Sequence, residues 1–129
     1  MNNYKGYKLE DLGCWQKARF FRREVFKVAS KYPNAGYKLK YQTIDAIGSI
    51  GHNIAEGFGR GSFKENVHFC RISRGSLLEV RDQLYTAIDY GFINDTVFNY
   101  LYDLSINLEQ NINGHIGFLK QKMKENGIK

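Results

Sequence analysis

From Cys14, apolar residues recur at Ala18, Phe21, Val25, Val28 and Tyr32, in alternating steps of four and three. That spacing lays one apolar stripe along a helix that packs against other helices. Trp15 and Phe26 widen the stripe, while Lys17, Arg19, Arg23 and Lys27 fall away from it. Asp11 offers an N-cap for this first helix. Pro33 stops it, because the residue before a proline avoids helical geometry. A second helix is predicted over residues 39–56, with a seam of Ile44, Ile47, Gly51 and Ile54 and with Ile50 beside it. Its glycines, Gly48 and Gly51, each cost about 1 kcal/mol relative to alanine inside a helix. Close approach by a neighbouring helix, or by another subunit, is the expected compensation.

The run Gly57-Phe58-Gly59-Arg60-Gly61 ends the second helix, with Gly57 suited to a left-handed C-cap. Ser62 and Glu65, three residues apart, form a capping-box pattern that starts a third helix. Its seam is long: Asn66, Cys70, Ser73, Leu77, Val80, Leu84, Ala87 and Gly91. The upper half of the seam is small or polar and the lower half aliphatic. The upper half is therefore expected to face a crowded, hydrogen-bonded place opposite the small residues of the second helix. Residues 91–94 make the next turn, and Asp95 or Thr96 caps a fourth helix. Leu101, Leu104, Leu108, Ile112, Ile116, Leu119 and Met123 stripe that helix, and Lys120, Lys122 and Lys124 complement the dipole at its end. Four amphipathic helices with short connections predict an all-α, antiparallel up-down-up-down four-helix bundle. At 129 residues, the chain is expected to form a single domain, 1–129.

Composition sharpens this picture in two ways. The single proline suits long helices, and an apolar share of 43% is enough for a core. The net charge of +6 is uneven. Residues 1–40 hold ten Lys or Arg against three acids, while the remainder is nearly balanced. A one-sided basic face invites an anionic partner such as nucleic acid; the competing reading is a solvated face. No apolar run is long enough to span a membrane. Residues 1–5 lack an apolar signal core, so a cytoplasmic location is expected. Cys14 and Cys70 have neither metal nor redox spacing and read as reduced, buried thiols.

Candidate chemistry is sparse. Glu65-x-x-His68 has helical metal-ligand spacing, and His52 with Glu56 adds two further donors, but a bundle di-metal site needs a fuller set. No nucleophile elbow is present, and Gly57-x-Gly59-x-Gly61 lacks the Lys-Ser/Thr of a phosphate loop. No catalytic residue, metal or cofactor is assigned. Asn53, Glu56, Gly57, Arg60, Ser62 and Glu65 read as a structural joint between the second and third helices. Within it Arg60 either pairs with Glu56 or holds an anion at the third helix's N-terminus. The Glu56 carboxylate is expected to bind the following turn. Arg71, Arg74 and Arg81 lie near one stripe of the third helix, as a nucleic-acid stripe or an interface network.

Several stretches together carry a family resemblance. They are Trp15-Gln16-Lys17-Ala18, Tyr32-Pro33, Gln42, Ser49-Ile50, Asn53-Ile54-Ala55-Glu56-Gly57, Gly59-Arg60, Phe69, Gly75-Ser76 with Glu79, and Gly91-Phe92-Ile93. The chain resembles the four helix bundle proteins also called 23S rRNA intervening-sequence proteins, over nearly its whole length. The resemblance implies an antiparallel four-helix bundle. A related group, the accessory variability determinant proteins of diversity-generating retroelements, forms basic homopentameric barrels that bind nucleic acid and partner a reverse transcriptase. By that analogy a homo-oligomer, with a pentamer as one form, and a reverse-transcriptase partner are implied. By the resemblance, Ile44-Asp45 stands where family members carry a basic pair; if that pair contacts nucleic acid in relatives, this chain lacks the contact. The expectation is a non-enzymatic, oligomeric RNA- or DNA-binding accessory protein, contacting phosphate through Arg19, Arg22, Arg23, Lys27, Arg71, Arg74 and Arg81. The alternative is a homo-oligomeric protein–protein scaffold.

Overall fold

A computed structural model describes residues 7–129. The lead-in 1–6, on which the reading of a missing signal core rests, lies outside the described residues. Four helices make the fold: α1 (Gly13–Ala29), α2 (Tyr37–Gly59), α3 (Phe63–Asp89) and α4 (Asp95–Glu125). Short 3-10 turns at Leu9–Asp11 and Asn34–Gly36 precede α1 and α2. No strand occurs among the described residues. Each helix packs on its sequence neighbours and α1 closes the ring against α4. Ala29, Tyr32, Leu39 and Ala87 share a small cluster with Phe92 and Ile93. That cluster brings the ends of α1 and α3 together with the starts of α2 and α4, so successive helices run antiparallel. This is the expected four-helix bundle.

The predicted seams fill the centre. Cys14, Ala18, Phe21 and Val25 of α1 are buried with Cys70, Leu77, Val80 and Leu84 of α3 and Leu101, Leu108, Ile112 and Leu119 of α4. On α3 the seam holds from Asn66 to Ala87. Gly91 lies beyond the helix at φ +78 and makes a Schellman ending. There Phe92 N–H donates to the Ala87 carbonyl (2.8 Å) and Gly91 N–H to that of Ile88 (3.0 Å). On α2 the buried face is broader than the predicted seam. Leu39, Thr43, Ala46, Ile50 and Gly57 are buried beside Ile47, Gly51 and Ile54, because α2 is pressed by both α1 and α3. Ile44 is only half-buried, at the α1 edge.

Three helix ends differ from the expected ones. Asp11 does not cap α1: its carboxylate accepts from the Lys8 backbone N–H (2.9 Å) and closes the 3-10 turn, and Leu12 takes the cap position. Asn94 caps α4 in place of Asp95 or Thr96, its Oδ1 accepting from Val97 N–H at 2.9 Å. Gly57 is not a left-handed C-cap. It stays helical inside α2, which runs on to Gly59, and the left-handed residue is Gly61 at φ +81. Among the described residues no helix is long and apolar enough to cross a membrane.

Candidate nucleic-acid interface

The basic residues of α1 follow from the same periodicity that builds its core stripe. With Cys14, Ala18, Phe21 and Val25 turned inward, Arg19, Arg23 and Lys27 must turn outward, and all three are exposed. Arg22, at the border, is half-buried beside Gly51, whose place for a Cβ lies 3.7 Å from one Arg22 guanidinium nitrogen. Lys27 is engaged within the helix: its ammonium meets Glu24 at 2.9 Å. Glu24 also accepts from the Tyr100 hydroxyl of α4 at 2.7 Å. The Lys27 hydrogen bond first, and the Tyr100 bond second, hold the Glu24 carboxyl below the usual carboxylate range. The same bond pushes the Tyr100 phenol up. Arg19, Arg22 and Arg23 thus form the basic part of the α1 face.

The arginines of α3 separate. Arg71 is exposed. Arg74 donates to Asn113 Oδ1 of α4 at 2.8 Å. Arg81 is committed further: it donates to Ser105 Oγ at 3.0 Å and to Glu109 Oε1 at 2.8 Å, and its guanidinium stands over the Tyr102 ring at 5.5 Å. Two of the three therefore tie α3 to α4 within one chain.

The joint between α2 and α3 is wired partly as expected. The Glu56 carboxylate pairs with Arg60, four residues on, at 2.8 Å, the first of the two readings of Arg60; both side chains are about half exposed. The Arg60 guanidinium also lies over the Phe69 ring, 5.0 Å from its centroid. Asn53 donates to the Ser49 carbonyl (2.8 Å) and hydroxyl (2.9 Å), inside its own helix. Ser62 caps α3 as predicted, its Oγ accepting from Glu65 N–H at 3.1 Å and donating to the Glu65 carboxylate at 3.2 Å. Glu65 is thereby occupied, and among the described residues no three His, Cys, Asp or Glu side chains gather as a metal group. At Gly57 α2 and α3 approach closely: a Cβ there would lie 2.9 Å from Asn66 Oδ1 and from Phe69 Cβ.

The sequence pattern of the 23S rRNA-intervening sequence protein family matches residues 10–114. The chain belongs to that family. No curated protein matches it. The stretches that carried the resemblance in this intervening-sequence protein are largely fold-building ones. Tyr32 sits in the end cluster, and Gly57 and Phe69 mark a close approach of α2 and α3. Gly91 ends α3. Ser49 and Ser76 share a hydrogen bond of 2.9 Å across α2 and α3. One turn lower, Ser73 Oγ donates to the Ile50 carbonyl at 2.7 Å. Sequence reasoning did not name this serine pair of rungs. The signal for it was present, as the small, polar upper half of the third-helix seam.

Proposed function

We propose that this family member is a non-enzymatic nucleic-acid-binding accessory protein of the cytoplasm that works as a homo-oligomer, with phosphate met by Arg19, Arg22 and Arg23 of α1. The observation carrying the proposal is the contrast in how arginines are used. Those of α3 at positions 74 and 81 are paired with α4. Those of α1 stand on the segment that holds the basic excess and are in no ion pair among the described residues, with Glu10 beside Arg19 and Arg23 and with Glu24 near Arg23. A guanidinium cluster in excess over its acids suits phosphate, which arginine binds in a bidentate manner. Three such contacts imply a modest salt dependence, with log K falling by about 2–3 per decade of salt. A titration of labelled structured RNA at low ionic strength tests this. Saturable binding with that slope, weakened by Arg19→Gln with Arg23→Gln, supports it; no binding at low salt overturns it.

A scaffold without nucleic acid is the second reading, and one feature favours it. Gly75 lies in mid-α3 with open space where its Cβ would be, near exposed Ile72 and Leu78. A second subunit would explain such a glycine, which costs about 1 kcal/mol in an isolated helix. Light scattering separates the readings: a stable oligomer that ignores RNA favours the scaffold.

A further inference from the structure

The arginines of α1 are interleaved with aromatic side chains, and phosphate binding alone gives no reason for that. Phe20 and Phe26 are each 49% exposed. On a helix of 3.6 residues per turn they lie about 120° apart, with Arg19 and Arg23 between them. Each ring opens into its own groove. One groove, of about 650 Å³, is lined by Glu10, Trp15, Gln16, Arg19, Phe20 and Arg23. The other, of about 420 Å³ between α1 and α2, is lined by Arg22, Arg23, Phe26, Ile44, Gly48 and His52. Arg23 borders both, so the grooves form one surface crossing the α1 ridge.

We infer that this surface takes single-stranded nucleic acid, with unstacked bases against Phe20 and Phe26 and the backbone phosphates on Arg19, Arg22 and Arg23. The inference rests on the nucleic-acid reading above and adds the substrate class. Charge complementarity selects the ligand: the lips carry three guanidiniums and the floor of the second groove is almost wholly apolar. A ligand with flat apolar faces strung on an anionic backbone satisfies both parts at once. A duplex keeps its base faces stacked inside and offers only phosphates to this surface. A single strand presents both, and base–aromatic stacking is tolerant of sequence. Ile44 is part of the apolar floor.

The experiment compares three labelled probes by fluorescence anisotropy: a short single-stranded RNA, its blunt duplex, and an abasic strand of the same length. Trp15, the one tryptophan of the chain, lies in the first groove and reports base stacking there by quenching. The single strand is expected to bind at least tenfold tighter than the other two and to quench Trp15. Phe20→Ala and Phe26→Ala are each expected to weaken it by about 5- to 100-fold while sparing the abasic strand. Phe20→Tyr, which keeps the ring, retains affinity. Arg23→Gln weakens all three probes. Equal affinity for the three probes, unaffected by the phenylalanine changes, overturns stacking but leaves phosphate binding intact. No binding of any probe at low salt overturns both readings. An oligomer that ignores every probe and dissociates on Phe26→Ala makes the surface a subunit contact and overturns both as well.

Discussion

At Gly57 the α2 backbone passes so near α3 that a methyl group would meet Asn66 Oδ1 and Phe69 Cβ at 2.9 Å and the Asn66 carbonyl at 3.1 Å. Two of these atoms sit on or next to a packed backbone and cannot swing away. Gly57→Ala is therefore expected to lower stability by about 1–3 kcal/mol, the usual cost of overpacking, measured by urea unfolding. Gly75 is the contrast, since nothing lies within 4 Å of its missing Cβ. Gly75→Ala is expected to raise the stability of the folded chain by up to about 1 kcal/mol through helix propensity. If it instead disrupts an oligomer, Gly75 faces a second subunit. Glu56→Ala belongs with the small effects: the Arg60 pair is half exposed, and such pairs contribute about 0.3–0.5 kcal/mol. A larger loss in urea would mean that Glu56 has a buried partner. The joint was legible as a place from its glycines and cap, and its wiring in part: the Glu56–Arg60 pair follows from i, i+4 spacing, while the bond of Asn53 to Ser49 within its own helix was not read. Composition marks where a chain must bend or crowd. It does not say which of Gly57, Gly59 and Gly61 takes the left-handed turn: Gly61 does, while Gly57 is the one pressed by Asn66 and Phe69 of the next helix.

Helices α3 and α4 are tied by polar groups as well as by their apolar stripes. Arg81 bridges Ser105 and Glu109, with its side chain 16% exposed against 27% for Glu109. Removing one member of a largely desolvated pair leaves the other in poor surroundings. Arg81→Ala is expected to cost about 1.5–3 kcal/mol, the usual net worth of hydrogen bonds to charged groups. A double-mutant cycle with Glu109→Ala checks it, with a coupling near 1 kcal/mol as the expected result and none overturning the claim. This is also where sequence reasoning was least complete. Periodicity located the apolar stripes of α1, α3 and α4 almost residue by residue, because burial repeats with the helical turn. It grouped Arg71, Arg74 and Arg81 for the same reason. It had no access to the facing positions on α4, Ser105, Glu109 and Asn113, which decide whether a charge on a stripe is spent or available. The helix ends failed in a similar way. Asp11 and Asn94 are both good caps by type, but each serves the turn its own backbone makes, one residue or more from the expected boundary.

Across the whole bundle, α1 and α3 bring two thiols into one interior, and their chemistry gives a measure of how closed that interior is. Burial pushes the Cys14 thiol from 9.0 up to about 11, against smaller opposing backbone hydrogen bonds. Burial, with a smaller contribution from Cys14, pushes Cys70 from 9.0 up to about 12. Both are raised acids, so the folded state holds its thiol protons at a pH where the unfolded chain has released them. The unfolded state then binds fewer protons, and stability falls as pH rises above the unfolded value of 9.0. Below that pH the two thiols contribute no slope. One pKa unit corresponds to 1.36 kcal/mol, so the two groups together remove about 2–3 kcal/mol by pH 10. That is a sizeable part of the ~5–15 kcal/mol that holds a domain of this size. Urea midpoints followed from neutral pH into the alkaline range are expected to be level at first and then to fall. The Cys14→Ala, Cys70→Ala variant is expected to fall less steeply, because of these raised acids only the Tyr32 and Tyr100 phenols remain. In the native protein near neutral pH both thiols should react with an aromatic disulfide reagent only as fast as the bundle opens. Rapid titration of either one would show that the α1–α3 interior admits water. The same closure explains why fold and function differ in legibility here: the interior is written in spacing, while the α1 surface depends on what the grooves beside it are shaped to receive.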